Sequence, residues 1–270
     1  MVVSFSAHRM YRQRFGSNVR RSLPRIAMAA LFAVAGHAAV AQTNLVQNGS
    51  FAVTGGSTAF QFGTFGGYTS TETLADWTST GYNFVFLPGS SVATGYYGNL
   101  SLYSATTTPS NSFNNASPTG GNFIGADADY GTQAINQTIN GLTAGKTYAV
   151  SFSWAGAQQT GYTGATTEQW EVSLGSSEQS TSIVHLPSTG FSGWMNTTFN
   201  FVATGSSEVL SFLASGSPAV PPFSLLANVS MKQVAAPEPA SMTLMVTGIA
   251  GLIGVVRRRR SSPRDAQPST

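Results

Sequence analysis

The sequence predicts an all-β fold, a single antiparallel β-sandwich, set between an N-terminal signal peptide and one C-terminal transmembrane helix. Three observations predict it. Between Thr43 and Ala236 large apolar residues recur at every second position, the period of a half-buried strand. Turns rich in Gly, Ser and Thr separate these runs, and no stretch of helical period occurs outside the two ends. Charged residues make up only 9% of the chain, where roughly 25% is ordinary for soluble domains. The surface is therefore built of hydroxyls and amides.

The first element is the N-terminal signal, residues 1–41. Arg9, Arg12, Arg14, Arg20, Arg21 and Arg25 precede the apolar stretch Ile26–Val40, and Ala39-Val40-Ala41 supplies the small-x-small pattern that signal peptidase accepts. Cleavage after Ala41 leaves Gln42 first. The apolar stretch is short for a permanent span, which needs about 20 residues.

The second element is the body, residues 42–236. Tyr148-Ala-Val150-Ser-Phe152-Ser-Trp154 is its clearest strand, and Trp170-Glu-Val172-Ser-Leu174, Phe199-Asn-Phe201 and Phe223–Met231 repeat the pattern. Tyr148, Val150, Phe152 and Trp154 are expected to point into one interior, with Ala149, Ser151 and Ser153 opposite. Phe199, Phe201, Leu225 and Val229 are expected to fill the same interior. Gly141–Lys146 reads as a hairpin connection. Phe60, Phe62 and Phe65 read as core, and Ser104–Gly121 as a long mobile loop.

The third element is the ending. Pro237-Glu238-Pro239 is followed by Ala240–Val256, which carries no charge, and then by Arg257, Arg258, Arg259 and Arg260. Such a segment rises roughly 26 Å as a helix, close to the hydrocarbon thickness of a membrane. The arginines hold residues 261–270 on the cytoplasmic side, leaving the body outside the inner membrane.

Charge distribution excludes one class of partner. Between the two ends the only cations are Lys146 and Lys232, against eight acids. No basic stripe that could track phosphates exists in the body, so nucleic-acid binding is not expected. The chain has no cysteine, which excludes disulfides, zinc-thiolate sites and a thiol nucleophile.

Catalytic patterns are wanting. His185 is the only histidine after signal removal, in Ile183-Val-His-Leu-Pro187 at a strand end, and neither a G-x-S-x-G elbow nor H-E-x-x-H occurs. Asp127-Ala-Asp129 places two carboxylates on one strand face by period two, and Glu168 and Glu171 flank Trp170. Glycosidases need paired acids, but turn chemistry is the commoner use of Asp in such a place. Gly95-Tyr96-Tyr97-Gly98 offers rings in a glycine-rich setting, where sugar C–H groups stack on aromatic faces and hydroxyls find polar partners. Tyr96, Tyr97, Asp127 and Asp129 are thus the candidate ligand-binding residues. No catalytic residue is assigned.

Two resemblances add to this reading. The ending PEPASMTLMVTGIAGLIGVVRRRR resembles the PEP-CTERM sorting signal of Gram-negative bacteria, over residues 237–260. The resemblance implies that an exosortase cuts near Pro237-Glu238-Pro239 and passes the chain from the inner membrane to the cell surface or exopolysaccharide matrix. In the body, NLVQNGSF (Asn44–Phe51), INQTINGLTAGKTYAVSFSWAG (Ile135–Gly156) and FSLLANVSM (Phe223–Met231) resemble the galactose-binding-domain-like jelly rolls, which include carbohydrate-binding modules. Those relatives often hold a structural calcium with acids after NGSF and in the closing strand. Here the positions are Ala52 and Ala227, and a methyl group cannot ligate calcium, so the calcium site is expected to be degraded and no cofactor is assigned. Backbone carbonyls with other acids are the one remaining way to hold the ion. Together these features lead to the expectation of a non-enzymatic surface or matrix protein that binds polysaccharide. The alternatives are a structural or adhesive coat protein without a sugar site and, less favoured, an extracellular hydrolase.

Overall fold

Strands as short as two residues occur here because turn residues interrupt the chain so often. The computed structural model describes residues 42–235. The first half carries short strands: β1 (Val53–Thr54), β2 (Phe60–Gln61), β3 (Thr73–Leu74), β4 (Thr78–Ser79), β5 (Asn83–Phe86), β6 (Val92–Gly95), β7 (Gly98–Ser101) and β8 (Phe123–Asp127). The second half carries β9 (Ile135–Asn140), β10 (Thr147–Gln158), β11 (Thr166–Leu174), β12 (Ser177–Ser180), β13 (Val184–Leu186), β14 (Met195–Val202), β15 (Ser207–Ser217) and β16 (Pro222–Gln233). The only helical feature among the described residues is a 3-10 turn at Phe65–Gly67. Among these residues no helix is long and apolar enough to cross a membrane. The predicted signal peptide, Pro237-Glu238-Pro239, the span and Arg257–Arg260 lie outside the described residues.

Two sheets face each other. One runs β14-β10-β16-β8-β5-β2-β6-β7, the other β12-β11-β15-β9-β4 with β13 also on β11, and β1 and β3 form a separate ribbon. From β8 onward the chain alternates between sheets: β8 in the first, β9 in the second, β10 back in the first, β11 and β12 in the second, then β14, β15 and β16 in turn. That winding is a jelly roll. Every pair is antiparallel except β2 with β6, joined at Phe60 and Thr94.

The topology corrects the expectation for Gly141–Lys146. The segment joins β9 to β10, which lie in opposite sheets, so it is a crossover and not a hairpin. Gly141 and Gly145 have the positive φ of a tight turn, and turn chemistry does not say which sheet the next strand joins. Leu174 to Ser177, by contrast, is a true hairpin between β11 and β12.

Alternation in β10 works as expected: Tyr148, Val150, Phe152 and Trp154 are buried in the space between the sheets, with Phe201 and Val229 beside them and Phe199 packed at the margin. The Trp170 indole N–H crosses from β11 to the Leu225 carbonyl at 3.1 Å. Phe60 joins this interior, and Phe62 packs against it.

Leu225 does not. It belongs with Phe223 and Ala227 to a second apolar cluster that also takes Tyr82, Phe84, Phe86, Leu100, Leu102, Phe113 and Phe123. The reason is a bulge. Ser151 pairs with Ser230 and Ser153 with Ala227, so β16 sets Asn228 and Val229 opposite Phe152 alone. Asn228 takes up the extra residue with φ of 54°, and the side-chain parity of β16 reverses there. Leu226, Val229 and Met231 consequently face the sandwich, while Phe223, Leu225 and Ala227 face outward.

The outward cluster needs a cover, and Ser104–Gly121 is part of it. Phe113 in this segment is 0% exposed, its ring lies 5.4 Å from Phe123, and the Asn111 amide donates to the Thr189 carbonyl at 2.9 Å. The segment expected to be a mobile loop is a packed layer. Phe65 also packs against this second cluster rather than entering the first.

The NGSF resemblance is structural. Asn48 and Phe51 close a turn by a backbone bond of 3.0 Å, and Phe51 is fully buried. Gly49 passes so close to β16 that a Cβ would sit 1.9 Å from the Val229 carbonyl oxygen.

Candidate binding cleft

The cleft is assembled by turns at one end of the strands. The β6–β7 hairpin closes with Gly95 opposite Gly98, leaving Tyr96 and Tyr97 as its two turn residues. Gln61, fully buried, anchors that hairpin: its side-chain oxygen accepts the Tyr96 N–H at 3.0 Å while its amide donates to the Gly63 and Phe65 carbonyls at 2.6 and 3.1 Å. Gly66, with φ of 69°, lies under the Tyr96 ring, where a Cβ would come within 2.7 Å. Tyr97 is thereby carried out to the surface, 62% exposed.

The facing wall is the turn after β8. Asp127 ends the strand and is buried, and its Oδ1 accepts the N–H groups of Asp129 and Tyr130 at 3.0 and 2.9 Å. That is the turn-forming use of Asp. Asp129 therefore lies beyond the strand, exposed, and does not share a strand face with Asp127 as period two had implied. Burial pushes the Asp127 carboxyl up to about 6, against the two backbone N–H bonds that lower it. Tyr82 is pushed up to about 12 by burial and the neighbouring Asp127 charge.

Tyr82, Tyr97, Tyr130 and Tyr162 line a cleft of about 330 Å³ with Asp127, Asp129 and Gln159. Its floor is continuous with the second apolar cluster, since Tyr82 packs edge-on to Phe84 at 4.7 Å. Tyr130 leans on Phe65 at 5.3 Å. The Tyr97 and Tyr130 hydroxyls share a hydrogen bond of 2.9 Å across the opening, which raises the Tyr97 phenol above its ordinary value. Tyr103 donates to the Tyr162 carbonyl at 3.0 Å and holds the β10–β11 loop against the cleft.

The structure thus brings Tyr97, Asp127 and Asp129 together. Tyr96 stands behind them, its ring 4.8 Å from Tyr97. Tyr82, Tyr130, Tyr162 and Gln159 were not singled out from sequence. A signal for the tyrosines existed: every tyrosine lining the cleft adjoins a glycine, as in Gly81-Tyr82, Tyr130-Gly131 and Gly161-Tyr162. The buried Tyr103 and Tyr148, placed elsewhere, do not.

The other candidate acids do not form a pair. Glu171 points to the outer side of β11, whereas Glu168 is 0% exposed inside the sandwich. Neither Glu168 oxygen has a partner in good hydrogen-bond geometry. Burial raises its carboxyl to about 7, and the nearby Thr166 hydroxyl opposes that rise. A Cβ on Gly156 would approach Glu168 Oε2 to 2.9 Å, so the carboxyl occupies the space that this glycine leaves. His185 sits exposed in β13.

The calcium implied by the resemblance does not fit these residues. Near Ala52, the Asn48 amide nitrogen already donates to the Ala52 and Ala75 carbonyls at 2.9 and 3.1 Å. The Ala227 methyl is enclosed by the outward apolar cluster. Among the described residues no group of three or more His, Cys, Asp or Glu could hold a metal ion.

Fold and cleft define a jelly-roll domain with an aromatic, acidic cleft at its strand ends. No protein-family model matches the chain, and no curated protein matches it. Among solved structures it is similar to a domain described as "CBM4 structure and function", at 21% identity and a TM-score of 0.28 over 42% of this chain and 71% of that one. TmCBM61 in complex with beta-1,4-galactotriose is 15% identical with a TM-score of 0.31, over 50% of this chain and 82% of that one. The CBM22-1 xylan-binding domain of Paenibacillus barcinonensis Xyn10C is 9% identical with a TM-score of 0.30, over 51% and 82%. Likenesses of this extent assign no ligand to this chain.

Proposed function

We propose that this is an exported, non-enzymatic protein of the cell surface or exopolysaccharide matrix whose jelly-roll body binds a neutral polysaccharide in the tyrosine-lined cleft. Signal peptidase and exosortase are its processing partners, through Ala39-Val40-Ala41 and through Pro237-Glu238-Pro239 with Arg257–Arg260. The observation that carries the binding role is the cleft itself: exposed tyrosine faces beside the carboxylates of Asp127 and Asp129 and the amide of Gln159. Rings take the apolar face of a sugar, and acceptors take its hydroxyls.

The preference for a neutral chain follows from charge. Among the described residues the only cations are Lys146 and Lys232. Lys146 precedes β10, and Lys232 pairs with Ala149 near that strand's start, whereas the cleft borders Gln159 just past its end. The strand separates them by roughly 30 Å, several times the Debye length of about 8 Å. A uronate or sulfate would meet Asp129 with no counter-charge.

A glycan array of the purified protein, carrying neutral and uronate-containing chains, tests the reading. Neutral glycans are expected to be retained, and Tyr97→Ala is expected to weaken retention about tenfold, or ~1.4 kcal/mol, for one lost stacking face. Retention of no glycan, or of acidic glycans only, would overturn it.

A further inference from the structure

Two phenols that share a hydrogen bond are already arranged for a second kind of chemistry. In a dityrosine the new bond joins the ring carbons next to each hydroxyl, so the product's two oxygens lie side by side. Tyr97 and Tyr130 hold their hydroxyl oxygens at 2.9 Å, with ring centroids 6.3 Å apart and planes inclined by 49°. Both rings are open to a soluble oxidant, at 62% and 47% exposure. The backbones that carry them are fixed independently, Tyr97 by the Gly95–Gly98 turn and the Gln61 anchor, Tyr130 by Asp127.

We propose that Tyr97 and Tyr130 are a site of oxidative cross-linking, joined Cε to Cε within one chain by a one-electron oxidant of the peroxidase class using hydrogen peroxide. Each phenol gives up one electron and one proton, and the two phenoxyl radicals couple through one new carbon–carbon bond. Each ring then regains its aromaticity by moving the hydrogen from the coupled carbon to its oxygen. One peroxide accepts the two electrons and two protons and leaves as two waters. The link ties two positions 33 apart in sequence, joining the β6–β7 hairpin to the turn after β8. In a chain with no cysteine it supplies the covalent tie that a disulfide supplies elsewhere, and it does not depend on a sugar ligand.

The test is to treat the purified chain with peroxidase and hydrogen peroxide, folded and in urea, and to map the products by mass. The folded protein is expected to yield a monomer two hydrogens lighter in which the Tyr97 and Tyr130 peptides are joined, with dityrosine fluorescence. The yield should exceed that in urea by roughly tenfold or more, because folding holds the rings together. Tyr97→Phe and Tyr130→Phe should each abolish the intramolecular product, while Tyr162→Phe, in the same cleft without a phenol–phenol bond, should keep it. Cross-links confined to dimers, links through Tyr96 or Tyr162 instead, or equal yields folded and in urea would overturn the proposal.

Discussion

The two halves of β10 bury their side chains differently. From Thr147 to Phe152 every second residue is buried and the others are half-buried, because one face meets the sandwich interior and the other is open. There Ser151 bonds Thr198 at 2.8 Å across the outer face. From Ser153 to Gln158 every residue is buried, since Ala155 and Ala157 now lie under the outward cluster that Phe113 and Phe223 help to form. One strand thus passes from a two-layer region to a three-layer region. The cleft stands at the three-layer end, where the turns after β8 and β10 and the β6–β7 hairpin are stacked on a second apolar floor. The lesson is that a site of turns becomes rigid enough to hold rings in place when those turns have a core of their own.

The sharpest way to break the comparison is to truncate one ring in each core. Phe152→Ala, in the interior common to both sheets, should cost about 3–5 kcal/mol in a urea titration and weaken the whole domain. Phe113→Ala should cost less, about 2–3 kcal/mol, because its covering segment can collapse into the space. Its hydrogen exchange should quicken around residues 87–122 while the β10–β16 amides keep their protection. Equal global losses from both variants would mean that the outward cluster is not a separate layer.

A smaller effect separates the halves by pH. Glu168 lies against Gly156 in the second half, its carboxyl raised by burial from 4.5 to about 7. The folded chain therefore holds this proton more tightly than the unfolded chain, so the contribution is complete below pH 4.5 and is lost as pH rises through 7. Wild-type stability should fall by about 1–3 kcal/mol between pH 4.5 and 8. Glu168→Gln, which keeps the shape and cannot ionise, should remove most of that slope in chemical denaturation at each pH. A residual slope up to pH 6 should survive from Asp127, whose carboxyl is raised in the same direction. An unchanged slope in the variant would place the titrating group elsewhere.

The smallest expected effect lies at the junction. Asn228 holds φ of 54° and bonds Thr119 at 2.9 Å through its side-chain oxygen. Asn228→Ala should cost about 1–2 kcal/mol and Asn228→Gly about 1 kcal/mol less, because glycine accepts positive φ freely. If the two variants melt alike, backbone conformation is not what sets the bulge.

Legibility followed the same division. The all-β class and the interior residues of β10 and β11 could be read because one-sided burial writes a period of two into the chain. Tyr97, Asp127 and Asp129 could be singled out one at a time, from ring exposure beside glycine and from spaced carboxylates. Their meeting could not, since they come from turns separated by β8 and by the covering segment. Tyr82, Tyr130 and Tyr162 were missed for the same reason: a single tyrosine beside a glycine is common, and only convergence gives it a role.

By itself the chain determined its strands, its turns and the order of its charged ends, because those depend on side-chain period, on backbone preferences of Gly, Asn and Pro, and on local hydrophobicity. Only the tertiary structure decided that Gly141–Lys146 crosses between sheets, that the Asn228 bulge sends Phe223, Leu225 and Ala227 outward, and that Ser104–Gly121 closes over them. The physical reason is that burial is settled between segments distant in sequence. A turn or an apolar residue carries the same local signal whichever sheet, or whichever side of a sheet, finally covers it.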